Sequence, residues 1–313
     1  MVNVATTAEG AGRRALVTGS AGFTGRYVVQ ALRAAGYRVF GIVLPGAGDP
    51  ASEDEFGVDL NDRTGLAAVV QQVRPDVVVH LAAIAFVHHG DAEQMYRVNL
   101  VGTRNLLEAL AALDASGQRP SAVLLASSAN IYGNATADPI GEDVPPAPAN
   151  DYAVSKLAME TMARLWADRL PLIVARPFNY TGVGQDEHFL LSKIVAHCRR
   201  RAASIELGNL QVWRDFSDVR MVAHSYRRLL AAPVAATAGR VFNVCSGTGW
   251  SLGEVLDLMA DIAGYRIDVR VNPAFVRANE VVRLVGDNRR LAAVIGDLAP
   301  VPLADTLRWM FAA

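Results

Sequence analysis

The chain has 313 residues, 51% apolar and 19% charged, with a formal net charge of -1. That balance excludes broad electrostatic attraction to nucleic acid or to an acidic membrane surface, and no stretch reaches the ~18 consecutive apolar residues a membrane-spanning helix needs. Cys198 and Cys245 stand far apart, without metal-ligand spacing, which fits reduced thiols in a cytoplasmic protein. Residues 1–12 lack the charged start and apolar run of a secretory signal and are expected to be a disordered lead-in.

Residues 15–18 form a short apolar run of the buried-strand kind. A helix is expected over 22–35, because Tyr27, Val28, Ala31, Leu32 and Ala35 recur at helical spacing and Gly36 stops them. A strand follows over 38–43. Then come a strand over 76–83, a long helix over 92–113, a strand over 122–127, a helix over 151–170 and a strand over 172–175. Strands alternating with helices predict an α/β fold, a doubly wound parallel sheet of the Rossmann type. Val77, Val78 and Val79, apolar on both faces, suit a sheet covered on both sides. After Pro177 the rhythm loosens. The reading is a dinucleotide-binding domain over 13–178, joined by parts of about 215–247, and a smaller, interwoven C-terminal lobe over 179–313. Residues 241–244 are expected to return to the first sheet.

Gly19, Gly22 and Gly25 lie at the first strand–helix junction, with Phe23 and Thr24 between them. Such glycines permit a tight turn and close backbone approach to a pyrophosphate, which then meets the positive end of a helix. The expected cofactor is NAD(H) or NADP(H). The second strand ends Gly41-Ile42-Val43-Leu44, without the acidic residue that would bind the ribose hydroxyls of NAD, which leans the reading slightly to NADP. Arg26 and Arg38 are either contacts for a 2′-phosphate or solvated surface charges. Asp59-Leu60 either flanks the adenine or is plain surface.

Tyr152 and Lys156 are four residues apart at the start of a helix, so phenol and ammonium share one face. A nearby cation favours the phenolate of a group whose ordinary pKa is ~10, and such a tyrosine can exchange a proton with a sugar oxygen. Ser128, in Ser127-Ser128-Ala129-Asn130-Ile131-Tyr132-Gly133, follows the strand before that helix, where parallel sheets gather ligand groups. It is read as a donor to a substrate carbonyl, or as a serine that merely caps the strand end.

The glycine loop, Ser128 and Tyr152/Lys156, in this order, resemble the extended short-chain dehydrogenase/reductase family, from Arg14 to Trp309. Later phrases resemble its GDP-mannose branch: Ala175-Arg176-Pro177-Phe178-Asn179, Leu207-Gly208-Asn209-Leu210, Arg214-Asp215-Phe216-Ser217-Asp218, Phe242-Asn243-Val244-Cys245-Ser246-Gly247, and Asn272-Pro273 through Arg277 and Glu280. The resemblance implies a cofactor set of Gly19, Gly22, Phe23, Thr24, Gly25, Asp59, Leu60, Leu81, Ala82, Ala83, Asn99, Tyr152 and Lys156. It implies a substrate set of Phe86, Ser128, Asn130, Asn179, Lys193, Arg214, Arg277 and Glu280. In that set Asn179, Lys193, Arg214 and Arg277 hold the diphosphate and base, and Glu280 accepts from ribose hydroxyls.

The chain departs from the pattern in places. Dehydratases of the branch carry a glutamate base two residues before the Tyr of Ser-x-x-x-Tyr-Gly, and here Asn130 stands there. Ala85 and Met221 replace polar family residues. The expected reaction is therefore reduction of a 4-keto group on a nucleotide-activated 4-keto-6-deoxy-hexose. The favoured substrate is GDP-4-keto-6-deoxy-mannose, giving GDP-rhamnose or GDP-6-deoxy-talose. Alternatives are a 4-epimerase with tightly held NAD, a GDP-mannose 4,6-dehydratase, a dTDP-sugar ketoreductase and a non-catalytic NAD(P) sensor. The partner is a GDP-sugar or another NDP-sugar, with neither nucleic acid nor membrane. A homodimer is expected, paired through the helices at 92–113 and 151–170 by Met95, Leu106, Leu110, Leu157, Met162 and Leu165.

Overall fold

The computed structural model describes residues 9–47, 52–85, 91–113, 117–275 and 281–313. In chain order the elements are Arg14–Thr18 (β1), Phe23–Ala34 (α1), Arg38–Val43 (β2), Glu55–Gly57 (β3), Arg63–Val73 (α2), Val77–His80 (β4), Ala92–Tyr96 (α3), a π-helical turn Arg97–Gly102, Thr103–Ala112 (α4), Ala122–Ala126 (β5), a 3-10 turn Ala129–Tyr132 and Asp151–Ala163 (α5). Then come Leu172–Pro177 (β6), Asn179–Thr181 (β7), Leu190–Arg199 (α6), Ser204–Leu207 (β8), Trp213–Asp218 (β9), Val219–Ala231 (α7), Val234–Thr237 (α8) and Arg240–Val244 (β10). The chain ends with Gly249–Ser251 (β11), Leu252–Ala263 (α9), Asp268–Val271 (β12), Arg283–Leu284 (β13), Arg289–Ile295 (α10) and Leu303–Ala312 (α11).

Among the described residues, seven strands form one sheet in the order β10-β6-β5-β4-β1-β2-β3. The pairs from β3 to β6 are parallel, and the order reverses direction beside β1, as a doubly wound fold requires. The expected return of residues 241–244 is β10, at the edge beside β6. Leu16, Val78, Val123 and Leu125 are fully buried from the strands, and Leu66, Val70, Leu106 and Leu110 meet them from α2 and α4. At ~1.5–3 kcal/mol per fully buried aliphatic side chain, this core holds the sheet edge that carries the glycine loop.

By internal contacts the chain divides into two units. The first runs to Ser127 and includes Asn150–Ala175 and Ala223–Phe242. The second is Ser128–Ala149, Arg176–Val222 and Asn243–Ala313. Residues 128–149, read above with the first domain, thus group with the second unit. That unit has a small sheet in the order β11-β9-β13 with β7 also on β9, a β8/β12 pair, and a core of Leu191, Ile194, Phe216, Val255, Met259 and Leu307.

Several expectations are corrected. The strand expected over 76–83 ends at His80, because Leu81 and Ala82 turn their N–H groups onto Thr18. The helix expected over 92–113 contains a π turn at Arg97–Gly102. The helix expected over 151–170 stops at Ala163 and tightens to a 3-10 turn over Arg164–Trp166. Residues 9–12 are packed rather than free, with Gly10 N–H on the Ala35 carbonyl and Glu9 paired with Arg227. Finally, Met95, Leu106 and Leu110 are buried in the chain's own core and Met162 packs against it, whereas Leu165 is 79% exposed. Leu157 is half-buried, so three of the six residues expected at a dimer face are taken up by the chain's own core.

Candidate functional site

The glycine loop leaves β1 at Thr18, and the loop after β4 leaves the same carboxyl edge, since Thr18 and His80 are in parallel register. Gly19 has φ +72°, and a Cβ there would stand 3.0 Å from the Ala82 nitrogen, so only glycine lets the two loops approach. A Cβ on Gly25 would collide with the Gly19 carbonyl oxygen. Gly22 is the N-cap of α1. It supplies no side-chain cap, and the first turn, which includes Phe23 and Thr24, carries no acidic residue. The positive end of α1 is thus not neutralised by its own side chains, which suits a pyrophosphate.

The second strand bears no acid at its carboxyl end, where Val43 and exposed Leu44 stand. Arg38 does not belong to this edge. It opens β2 opposite Arg14, about five residues or roughly 16 Å from Val43, and pairs with Asp54 at 3.3 Å. The 2′-phosphate contact suggested for Arg38 is therefore withdrawn; Arg26 is exposed on α1. Asp59 Oδ1 accepts from the backbone and side-chain N–H groups of Asn61 at 2.8 and 2.9 Å, a local turn. Leu60 sends its side chain into the core, and its carbonyl accepts from Asn105. Leu81, Ala82 and Ala83 are half-buried beside the glycine loop.

Tyr152 and Lys156 lie in the first turns of α5, started by Asn150, whose side chain accepts from the Ala153 N–H at 2.9 Å. Tyr152 is 9% exposed. The Lys156 Nζ stands 6.0 Å from the Tyr152 ring centre and donates to the Ala126 carbonyl, at the end of β5, at 2.8 Å. Burial lowers the pKa of Lys156 to about 8, and Glu160 beside it pulls upward. Phenol and ammonium share the helix face that the four-residue spacing predicts. Asn99 sits in the π turn and is fully buried. Its Oδ1 accepts from the Ile84 N–H at 2.8 Å, and its Nδ2 donates to the Ile84 carbonyl and to Ser155 Oγ. Both amide protons are spent on the scaffold, which ties the loop after β4 to the helix of Tyr152.

In the second unit, Ser128 is buried, and its Oγ accepts from the Asn130 N–H at 3.1 Å. The hydroxyl proton has no partner among the described residues. The turn carrying Ser128 and Asn130 is held from behind: Arg176 donates to Tyr132 Oη at 2.8 Å, and Tyr132 donates to Asn243 Oδ1 at 2.7 Å. The buried Asp215 carboxylate accepts from Ser246 N–H, Ser246 Oγ and Gly247 N–H at 2.6–2.8 Å. Burial raises its pKa against the pull of those bonds. Asn179 is exposed on β7, Lys193 donates to the Glu206 carbonyl at 2.7 Å, and Arg214 donates to the Trp213 carbonyl at 2.8 Å. Phe86, Arg277 and Glu280 lie outside the described residues. A cavity of about 540 Å³ in this unit, lined by Glu142, Asp143, Asp287, Arg289 and Arg290 among others, holds none of the expected site residues. Both cysteines are buried with raised pKa values, as inert thiols are.

Sequence reasoning passed over Arg176, Tyr132 and Asn243 as polar supports, and His80 entirely. The available signal was a histidine ending an otherwise apolar strand, Val77-Val78-Val79-His80.

The NAD dependent epimerase/dehydratase family model matches residues 15–245. The chain belongs to this family. Among curated relatives of this family member, the GDP-6-deoxy-D-mannose reductase of Pseudomonas aeruginosa is 35% identical, covering 95% of each chain. The GDP-6-deoxy-D-talose 4-dehydrogenase of Aggregatibacter actinomycetemcomitans is 32% identical, covering 90% of this chain and 91% of the other. Among solved structures, a candidate epimerase from Burkholderia cenocepacia J2315 is 56% identical with a TM-score of 0.88, covering 96% and 99%. The RMD protein of Pseudomonas aeruginosa complexed with NADPH is 33% identical with a TM-score of 0.81, covering 96% and 98%. The family is NAD(P)-dependent, and the uncapped α1 terminus and close-packed glycine loop fit such a cofactor. No described helix is long and apolar enough to cross a membrane.

Proposed function

We propose that this protein is a 4-ketoreductase that converts a nucleotide-activated 4-keto-6-deoxy-hexose, GDP-4-keto-6-deoxy-mannose in the first instance, to the 4-hydroxy sugar. The observation that carries the reading is the buried Lys156 ammonium, anchored on Ala126 beside the Tyr152 phenol at the end of β5. The names of the two curated relatives, a reductase and a 4-dehydrogenase of GDP-6-deoxy sugars, support the substrate class.

The dinucleotide, when bound, supplies the hydride that reaches C4. Tyr152 Oη holds the proton that goes to the C4 oxygen, so that ketone, hydride and proton balance to an alcohol. Lys156 keeps positive charge beside that phenol, favouring its deprotonated form after transfer. Ser128, with its Oγ already accepting from Asn130 N–H, has its own proton left to donate to the ketone oxygen. Asn130 carries no basic group, so abstraction of a sugar C–H proton, which dehydration requires, has no base at that position. Asn179, Lys193, Arg214, Arg277 and Glu280 are assigned to the nucleotide diphosphate, base and ribose, with Phe86 in the same substrate set. The protein is assigned to the cytoplasm as a homodimer, a state that sedimentation at micromolar concentration checks.

The test is incubation of the purified protein with GDP-4-keto-6-deoxy-mannose and NADPH or NADH, with product configuration at C4 read by NMR. One nicotinamide is oxidised per sugar reduced. Tyr152→Phe lowers kcat by about 10³-fold and leaves cofactor Kd within about twofold. Absence of nicotinamide oxidation with every 4-keto-6-deoxy NDP-sugar overturns the reading. Inversion at C4 without net oxidation replaces it with the epimerase reading, which the name of the Burkholderia structure favours.

A further inference from the structure

We propose that His80 is a positioning residue, held in its neutral Nε2–H form at the centre of a hydrogen-bond relay that locks the cofactor loops to the helix of Tyr152 and Lys156. The inference rests on the reading above, since it assigns a role within the same site.

The Thr103 end of the relay fixes the ring proton. The Thr103 hydroxyl donates to the Asn99 carbonyl at 2.7 Å, because a carbonyl can only accept. Thr103 Oγ1 must therefore accept from His80 Nε2, 2.8 Å away, which makes Nε2 the protonated nitrogen. At the other end, Thr18 Oγ1 accepts from the Ala82 N–H at 3.1 Å and shares the Leu81 N–H, at 3.2 Å, with the Thr18 carbonyl oxygen at the same distance. In a neutral ring with its proton on Nε2, Nδ1 accepts, so Thr18 Oγ1, 2.7 Å away, donates to it. A second proton on the ring would compete with the Leu81 and Ala82 N–H groups for the Thr18 hydroxyl oxygen. The histidine is buried on β4, and burial, with Lys156 as a further positive neighbour, lowers its pKa to about 3.

The relay continues on both sides. Thr18 ends β1, directly before Gly19, and the amides it holds belong to the loop that a Cβ at position 19 would strike. Thr103 follows the π turn, and its bond to the Asn99 carbonyl is the i−4 back-bond available to threonine. A π turn inserts one extra residue, which is how a helix offsets a side chain locally, and here the offset side chain is Asn99. The Asn99 Nδ2 reaches Ser155 Oγ at 3.0 Å, and Ser155 donates to the Tyr152 carbonyl at 2.8 Å. One ring thus joins the glycine turn to the turn that carries Tyr152, and a misplacement of ~1 Å between such parts costs up to ~10²-fold in rate.

The test compares wild type, His80→Leu, Thr103→Val and the double variant, all below their melting temperatures. It reads NADPH and NADH Kd by fluorescence titration, kcat with the keto sugar, and the His80 ring ¹⁵N shifts by NMR. The expected result is a neutral Nε2–H ring in wild type. Each single variant raises cofactor Kd and lowers kcat by about tenfold, and the double variant is no worse than His80→Leu, because both act through one chain. An Nδ1–H ring, additive effects, or variants that only melt earlier and keep wild-type Kd and kcat overturn the proposal. A wild type that binds neither dinucleotide overturns the functional reading instead, and the ring tautomer still reports on the relay.

Discussion

The two units centre their buried polar groups differently. In the first unit, Thr18, His80, Asn99, Thr103, Asn105 and Ser155 are all neutral and all buried, with Lys156 and Glu160 as the buried charges. In the second, three buried charges stand among neutral groups such as Asn243: Arg176, Asp215 and Asp218, the last held by Arg220 and by the Thr306 hydroxyl at 2.7 Å. A neutral network costs little desolvation and takes its direction from which atoms can donate. A buried carboxylate costs far more to bury, and is retained where it can collect several N–H groups from separate segments. Asp215 does this, drawing Ser246 and Gly247 onto β9. The difference teaches where pH should act: the neutral relay ignores the physiological range, and Lys156 is the group placed to respond.

The most severe way to break the contrast is at its ionic end. Asp215→Asn turns an N–H group toward donors that need an acceptor, and is expected to cost about 3 kcal/mol, read as a lower urea midpoint. The cofactor Kd of the first unit should be less affected.

Lys156 gives the next effect, with opposite signs in two measurements. Its folded pKa of about 8 lies below the ordinary 10.5. Between these values the unfolded chain holds a proton that the folded chain has lost. Stability should therefore rise as pH increases from about 8 toward 10.5, by up to about 3 kcal/mol, and Lys156→Met should abolish that rise. Reductase activity should instead fall through the same pH, as the ammonium beside Tyr152 is lost. A pH–rate profile set beside denaturation midpoints checks both.

His80 acts at the acid end. Its folded pKa of about 3 lies below the ordinary 6.5, so the unfolded chain gains a proton first as pH falls. Its contribution is complete above pH 6.5 and is lost progressively below it, about 2 kcal/mol by pH 5. His80→Gln should flatten that slope. The smallest effect is at the surface: the exposed Arg38–Asp54 pair should change stability by less than about 0.5 kcal/mol in Arg38→Ala, with the NADPH to NADH preference unchanged.

Much of this was legible in the chain. The glycine spacing, the strand ending in Thr18 and the Tyr152/Lys156 interval depend on local backbone rules, and the structure places them as those rules require. Helical spacing shows that Met95, Leu106 and Leu110 recur along their helices, while only the packed structure shows that these three side chains are buried. Arg38 was left between two readings, and the register, which puts it at the far end of β2, favours the surface charge.

By itself, then, the sequence determined the parallel α/β order, the cofactor turn and the phenol–ammonium pair, since each rests on residues within a few positions of one another. Tertiary structure alone decided the relay from Thr18 through His80, Thr103 and Asn99 to Ser155, and the ties from Asp215 to Ser246 and from Arg176 to Tyr132. The physical reason is that a hydrogen bond needs donor and acceptor within about 3 Å. For residues 23 to 62 positions apart, that proximity is created by the fold and is not written in any local pattern.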